Sequence, residues 1–312
     1  MKKNARIYVA GHRGLTGSAI VRTLLKEGFT NLIVKTREEL DLLNQEAVAA
    51  FFKSEKPEYV VVCAARVGGI LANKEHPAEF LYENLQIQNN ILWSAHQNPP
   101  RKLLFLGSTC VYPAGAPQPL KEEYMLTGSL ESTNEGYAIA KIAGIKLCEY
   151  LFREFDDHFI ACAPTNLYGP GDTFDPQKSH LVPGIMGRMH EAKIMGSNEF
   201  SVWGDGTPRR ELLYVDDFAD AALWMLENYD APEFLNIGTG EDISVEKLVD
   251  MLKTIVGFEG GIVFDSSKPN GVAQKLSDVS KIHALGWHHT TPLAEGLTTT
   301  YQWFLSEKEK TA

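Results

Sequence analysis

The sequence predicts a doubly wound α/β fold, a parallel sheet covered by helices, with a smaller carboxyl-terminal lobe that serves a substrate. Three observations carry this expectation. Short apolar runs alternate with amphipathic stretches through the first half of the chain, the pattern of β-α units that build a parallel sheet. A glycine-spaced turn joins the first apolar run to the first amphipathic stretch. After about Gly169 the alternation ends, and Gly, Pro and Trp become prominent in GPGDTFDPQKSHLVP and VWGDGTPRRELLYVDD. That texture suits loops over a pocket better than a sheet.

Taken in order, strands are expected at residues 6–10, 32–36, 59–64, 102–107 and 159–164. Helices are expected at 17–27, 44–56, 77–97 and 136–155, where Ala, Leu, Ile and Phe recur at helical spacing. Residues 217–227 and 234–237 read as a helix and a strand returning to the sheet, and 245–256 as the first helix of the small lobe. The division is therefore interleaved: 1–168 with 214–240 for a Rossmann dinucleotide-binding domain, and 169–213 with 241–312 for the substrate lobe. The terminal SEKEKTA reads as a solvated, fraying end.

Bulk properties exclude some functions. Forty acidic residues against thirty basic ones give a formal net charge of -10, which opposes non-specific attachment to nucleic acid or an anionic membrane. An anionic substrate then requires locally gathered cations. The apolar run after MKKNAR covers only residues 7–10, too short for a signal-peptide core or a membrane span, so a cytoplasmic location is expected. Cys63, Cys110, Cys148 and Cys162 lack metal-binding or disulfide-framework spacing, and free thiols without a metal site are expected.

Gly11, Gly14 and Gly17 follow the first strand and open the first helix, with Leu15 between them. Glycines there allow a tight turn, close backbone approach to a pyrophosphate and close helix packing. An acidic residue at the end of the second strand would hold the ribose 2′-hydroxyl of NAD. The sequence there is KTREELDL, and Arg37 offers a planar cation suited to a 2′-phosphate, so NADP(H) is the expected cofactor. His12 and Arg13 either approach the cofactor phosphates or simply lie on the surface. Ala64 and Ala65, after the third strand, are small enough to let a dinucleotide lie close.

In EGYAIAK, Tyr137 and Lys141 stand four apart on an expected helix and share a face. An ammonium beside a phenol favours its anionic form, so Lys141 is the expected tuner of a Tyr137 proton donor. Ser108 closes the fourth strand, where ligands bind in open parallel sheets, and its hydroxyl can hydrogen-bond a substrate carbonyl. Cys110 lies two residues on in GSTC, so an extended segment would aim both side chains into one pocket. A thiol whose pKa is lowered by a cation becomes a usable base, and His180 in KSHLVP is a candidate acid. Read singly, Cys110 is equally a small buried apolar residue and His180 a loop hydrogen-bonder.

The glycine turn, Ser108, Tyr137 and Lys141 occur in the order of the extended short-chain dehydrogenase/reductase family, which the sequence resembles over nearly its whole length. Within it, GHRGLTG, GSTCVYP, NEGYAIAK, TNLYGPGD, KSHLVP, WGDGTPRRELLYVDD and HALGW are similar to the successive motifs of the GDP-L-fucose synthase branch. The resemblance implies a GDP-4-keto-6-deoxy sugar substrate. It implies that Cys110 and His180 invert C3 and C5 as base and acid, and that Ser108, Tyr137 and Lys141 serve hydride transfer to C4. It further implies substrate contacts by Asn166, Arg188, Trp203, Arg210 and Lys275, and a homodimer through helices near 83–97 and 136–155.

Of two adjacent arginines, Arg210 is the expected contact while Arg209 points to solvent. Gln274 stands where many members of the branch carry a basic residue, a departure from the pattern. Two other enzymatic readings stay open: a sister enzyme acting on a GDP-linked 6-deoxy-heptose or dideoxy sugar, and a UDP-sugar 4-epimerase, against which Cys110, His180 and Arg37 argue. A non-catalytic dinucleotide-binding scaffold is the remaining alternative.

Overall fold

The structure, a computed structural model, describes residues 1–175, 179–268 and 270–311. The first half runs β1 (Ile7–Ala10), α1 (Leu15–Lys26), β2 (Leu32–Ile33), α2 (Gln45–Glu55), β3 (Tyr59–Val62), α3 (Ile70–Glu75), α4 (Pro77–Gln97), β4 (Lys102–Leu106), α5 (Glu135–Phe155) and β5 (Phe159–Pro164). The second runs β6 (Asn166–Tyr168), α6 (Leu181–Ile194), β7 (Glu199–Trp203), β8 (Arg209–Tyr214), α7 (Val215–Asn228), β9 (Leu235–Ile237), β10 (Asp242–Ser244), α8 (Val245–Val256), β11 (Gly261–Asp265), β12 (Gln274–Lys275), α9 (Ser280–Ala284) and α10 (Leu293–Thr311).

Six strands in the order β2-β1-β3-β4-β5-β9 make one sheet, and every pairing in it is parallel. Parallel strands are covered on both faces and so read as continuous apolar runs. On one face Ile7, Val9, Val61, Leu104 and Ile160 pack with Ile20, Leu24, Phe218 and Met225 from α1 and α7. On the other, Tyr8, Val60, Val62 and Phe105 meet Phe51, Phe52, Ile91 and Ile145 from α2, α4 and α5. Strand order reverses between β1 and β3, which opens the crevice at the carboxyl ends of those strands where ligands of doubly wound sheets bind. A third core gathers Met186, Met189, Phe200, Val202, Leu248, Leu252 and Phe304 in the carboxyl-terminal part.

Helix 77–97, strand 159–164 and helix 245–256 lie where the sequence puts them. The strand expected at 32–36 stops at Ile33. Beyond it the Thr36 N–H donates to the Glu39 carboxylate at 2.7 Å, and Leu40 N–H donates back to the Thr36 carbonyl at 2.9 Å, so the chain turns instead of pairing.

The larger correction concerns VWGDGTPRRELLYVDD, expected as pocket loops. It holds the end of β7, a turn with left-handed Gly204 (φ 84°) and Gly206 (φ 81°), all of β8 and the start of α7. In that region β8 pairs with β6, β10 and β12, and β7 with β11. The SEKEKTA end is likewise no frayed tail in its described part, because α10 continues to Thr311. Among the described residues no helix is long and apolar enough to cross a membrane.

Candidate active site

The glycine turn is built as tightly as the spacing requires. Gly11 takes φ 83° and lies so close to the chain after β3 that an added Cβ would sit 2.8 Å from the Ala64 nitrogen, while one on Gly17 would collide with the Gly11 carbonyl. Gly14 caps α1 without a side chain, so the N–H groups of Leu15, Thr16 and Gly17 lack the helical partner that Gly14 gives Ser18. Such a helix start attracts an anion.

His12, in the same turn, buries an Nδ1 that finds no hydrogen-bond partner. Arg37 is exposed just past β2. The Glu38 carboxyl is held below its ordinary range by its backbone N–H and by Thr36, with smaller contributions from Arg13 and Arg37. Both guanidinium groups therefore lie within electrostatic reach of Glu38. These donors, cations and the orphaned imidazole nitrogen fit a dinucleotide bearing an extra phosphate, and Arg13 joins Arg37 in the part that would hold it.

Ser108, Cys110, Tyr137 and Lys141 converge at the end of β4. Residues 109–111 form a 3₁₀ turn rather than the extended segment expected, and Ser108 caps it by accepting from the Cys110 N–H at 3.3 Å. The turn still brings thiol and hydroxyl close: Ser108 favours the thiolate, although burial dominates and pushes the Cys110 pKa up. Lys141 is only 3% exposed and donates to the Leu106 carbonyl at 2.7 Å, fastening α5 to the end of β4. Its Nζ lies 5.6 Å from the Tyr137 ring centroid.

Burial lowers the Lys141 pKa to about 8, against the opposing pull of Cys110, Cys63 and Cys162. Burial, and then Cys110, push that of Tyr137 up. The phenol is accordingly protonated at neutral pH, the form a proton donor needs. α5 can approach this closely because Gly144 leaves room for the Phe105 ring, which a methyl group there would strike.

Beside Cys110 opens a narrow cleft whose walls include Thr109, Tyr112, Gln118, Glu131 and Lys275. Arg209 and Arg210 differ in their surroundings. Arg209 is bound to Asp242 at 2.5 Å rather than pointing freely to solvent, whereas among the described residues the Arg210 side chain bonds only to the Arg209 carbonyl, at 2.7 Å, and burial lowers its pKa. Register pairs Lys275 with Arg210, and burial lowers the Lys275 pKa as well. Gln274 donates to Asp242 at 2.6 Å, so it completes the Arg209 anchor.

Asn166 donates its amide to the Glu211 carbonyl at 2.9 Å and is otherwise exposed. Arg188, on α6, lies over the Phe200 ring at 5.3 Å and reaches the Ser201 carbonyl on β7 at 3.5 Å. Trp203 is 64% exposed at the end of that same strand, with Lys268 at 5.9 Å over its ring. His180 is the N-cap residue of α6. Its ring opens to solvent yet is crowded by protein, which lowers its pKa, and it makes no side-chain hydrogen bond among the described residues.

Two carboxylates were missed from the sequence. Glu211 is fully buried and accepts from Thr239 N–H, Gly240 N–H and Ser277 N–H at 2.7, 2.8 and 2.8 Å, tying three segments behind Arg210. Charge-assisted bonds of this kind are the strong ones. Its neighbourhood in RRELLY resembles surface strand residues, and the donors come from chain 28 to 66 residues away, so nothing local could signal it. Glu131, which lines the cleft, sits in no motif.

Comparison with known proteins gives a consistent set of likenesses. The NAD dependent epimerase/dehydratase family matches residues 7–238. GDP-L-fucose synthase 1 of Arabidopsis thaliana is 52% identical over 303 residues, covering 97% of this chain and 94% of the relative. A GDP-6-OMe-4-keto-L-xylo-heptose reductase from C. jejuni is 40% identical with a TM-score of 0.94, covering 98% of this chain and 99% of that one. A GDP-L-fucose synthetase from Naegleria fowleri solved with NADP is 29% identical with a TM-score of 0.91, covering 99% and 96%.

Proposed function

The chain belongs to the NAD dependent epimerase/dehydratase family, and from that premise we propose that it converts GDP-4-keto-6-deoxy-D-mannose to GDP-L-fucose. Two inversions, at C3 and C5, precede reduction at C4. The observation that carries this reading is the convergence of a thiol, a hydroxyl and a phenol at one strand end: the Cys110 backbone N–H donates to Ser108 Oγ at 3.3 Å, and the thiol lies near enough to Tyr137 to raise its pKa.

NADPH, when bound, supplies the hydride that C4 receives. The chain's own residues hold it through Gly11, Gly14, Leu15 and Gly17 at the pyrophosphate, Ala64 and Ala65 beside the dinucleotide, and Arg37 with Arg13 at the 2′-phosphate. Tyr137 and Lys141 border its reactive end. Arg37→Ala should raise the Michaelis constant for NADPH at least about tenfold, the size of a lost charge-assisted contact, while leaving that for NADH unchanged. Equal changes for the two cofactors would remove the phosphate contact.

Cys110 takes the proton from C3 and then C5, and His180 returns one to the opposite face. The electron pair passes to the C4 oxygen, where Ser108 and Tyr137 donate; donors placed at developing charge stabilise the transition state more than the ground state. Tyr137 then gives its proton to that oxygen during reduction, with Lys141 beside it as the cation. Arg188 and Arg210 hold the diphosphate, Asn166 a sugar hydroxyl, and Trp203 packs on the nucleotide.

Residues 1–168 with 214–240 serve the cofactor in this scheme, and 169–213 with 241–312 the GDP-sugar. A second reading, a GDP-linked heptose as substrate, draws on the 40% identity to the heptose reductase. Incubation with NADPH and a panel of GDP-4-keto sugars, with product stereochemistry read by NMR, separates the two. Turnover of the heptose alone would displace the fucose reading.

A homodimer fits an outward face of α4 and α5 on which Tyr82, Trp93, Ile139, Tyr150 and Phe155 are all more than 40% exposed, since large apolar patches mark interfaces. Sedimentation should find a particle about twice the 34.7 kDa chain mass, and a monomer at micromolar concentration speaks against it. Four free thiols suit a reducing cytoplasm.

A further inference from the structure

Two cations act on the Cys110 thiol, and they are not equivalent. Lys141 is spent: its Nζ donates to Leu106 at 2.7 Å and serves the Tyr137 side of the site. The Lys275 ammonium makes no hydrogen bond or ion pair among the described residues, lines the same cleft as Cys110 and favours the thiolate more strongly than Lys141 does. The thiolate favours the Lys275 ammonium in return.

The backbone holds this pairing from both sides. Leu276 N–H donates to Gln118 Oε1 at 2.8 Å, and Leu120 N–H donates to the Leu276 carbonyl at 2.7 Å, which fastens the Lys275 segment to the loop that follows Cys110. On its other edge Lys275 is in register with Arg210, and Ser277 N–H is held by the buried Glu211.

We propose that Lys275 is the positioning residue that favours the Cys110 thiolate, against the opposing effect of burial, beside the sugar ring. This departs from its expected part as a substrate contact, and it rests on the reading of Cys110 as the epimerisation base. The groups facing the pair are few: the Ser108 hydroxyl supports the thiolate, Tyr137 is neutral, Glu131 supports the ammonium and Arg210 opposes it. A diphosphate seated on Arg210 offsets that opposition, so arrival of the substrate strengthens the ion pair.

The proton balance is simple. The S–H bond of Cys110 breaks with its proton passing to water, while the Lys275 ammonium keeps its own protons and holds the resulting thiolate by charge. The thiolate then takes the carbon-bound proton while the electron pair passes to the ketone oxygen, and nothing is oxidised or reduced.

The test is the pH dependence of Cys110 alkylation by iodoacetamide in the NADPH-loaded protein, read by mass spectrometry on the peptide that contains it. Because the thiolate is the reacting form, the midpoint reports its pKa, and no sugar is involved, so failure of the substrate reading leaves the measurement intact. Lys275→Met is expected to raise the midpoint by about one pH unit or more, and Lys275→Arg to keep it near the wild-type value. An unmoved midpoint in a Lys275→Met protein that binds NADPH normally overturns the proposal. So does a Lys275→Arg midpoint displaced as far as that of Lys275→Met.

Discussion

Tyr137→Phe is expected to lower NADPH consumption with the keto-sugar by about 100- to 10,000-fold, the range for loss of a positioned general acid. In barrier terms this is on the order of 3–5 kcal/mol. Phenylalanine keeps the ring, so packing on α5 and the 5.6 Å approach of Lys141 survive, and only the donated proton goes. Cofactor affinity should change little. Exchange of the C3 and C5 hydrogens with deuterated solvent should continue at a measurable rate, because Cys110 and His180 are untouched.

A pH profile gives a second check on the same group. Lys141, with a pKa of about 8, is an ammonium below that value and loses its proton above it. Since reduction draws on the protonated pair, the reduction rate should fall as pH rises through about 8 in the wild type. Reduction that is undiminished in Tyr137→Phe would assign the proton to another donor.

The residues legible in the sequence are those whose function depends on local spacing. Gly11, Gly14 and Gly17 announce themselves because a strand, a turn and a helix start must follow one another within a few residues. Tyr137 and Lys141 do so because one helical turn separates them. The parallel strands were readable as apolar runs, being buried on both faces.

What stayed hidden was set by contacts across long stretches of chain. Strands β7, β8, β10 and β12 are two to six residues long, and the turns between them carry the Gly and Pro that made the region read as loops. Their pairing is decided by the third core and by Glu211, whose donors belong to other segments. The Ser108–Cys110 geometry shows the same limit on a smaller scale. A Ser-capped 3₁₀ turn and an extended strand are both compatible with GSTC, and the shared face came about through capping rather than through the strand alternation used to expect it.

Cys110→Ser is expected to suppress solvent exchange at C3 and C5 by at least about 100-fold, while the protein still binds NADPH. Serine keeps nearly the same shape in a site only 6% exposed, but its hydroxyl gives up a proton far less readily than a thiol, so no base remains at neutral pH. The substitution also separates the two halves of the reaction. Ser108, Tyr137 and Lys141 stay in place, so an uninverted ketone should still be reduced slowly, and NMR should find a C4 alcohol that retains the starting configuration at C3 and C5. His180→Asn should behave differently, permitting proton removal by the thiolate but slowing return to the opposite face, so that exchange outruns inversion. Wild-type exchange in Cys110→Ser would detach the thiol from the inversions and leave a ketone reductase whose cysteine only fills space beside Ser108.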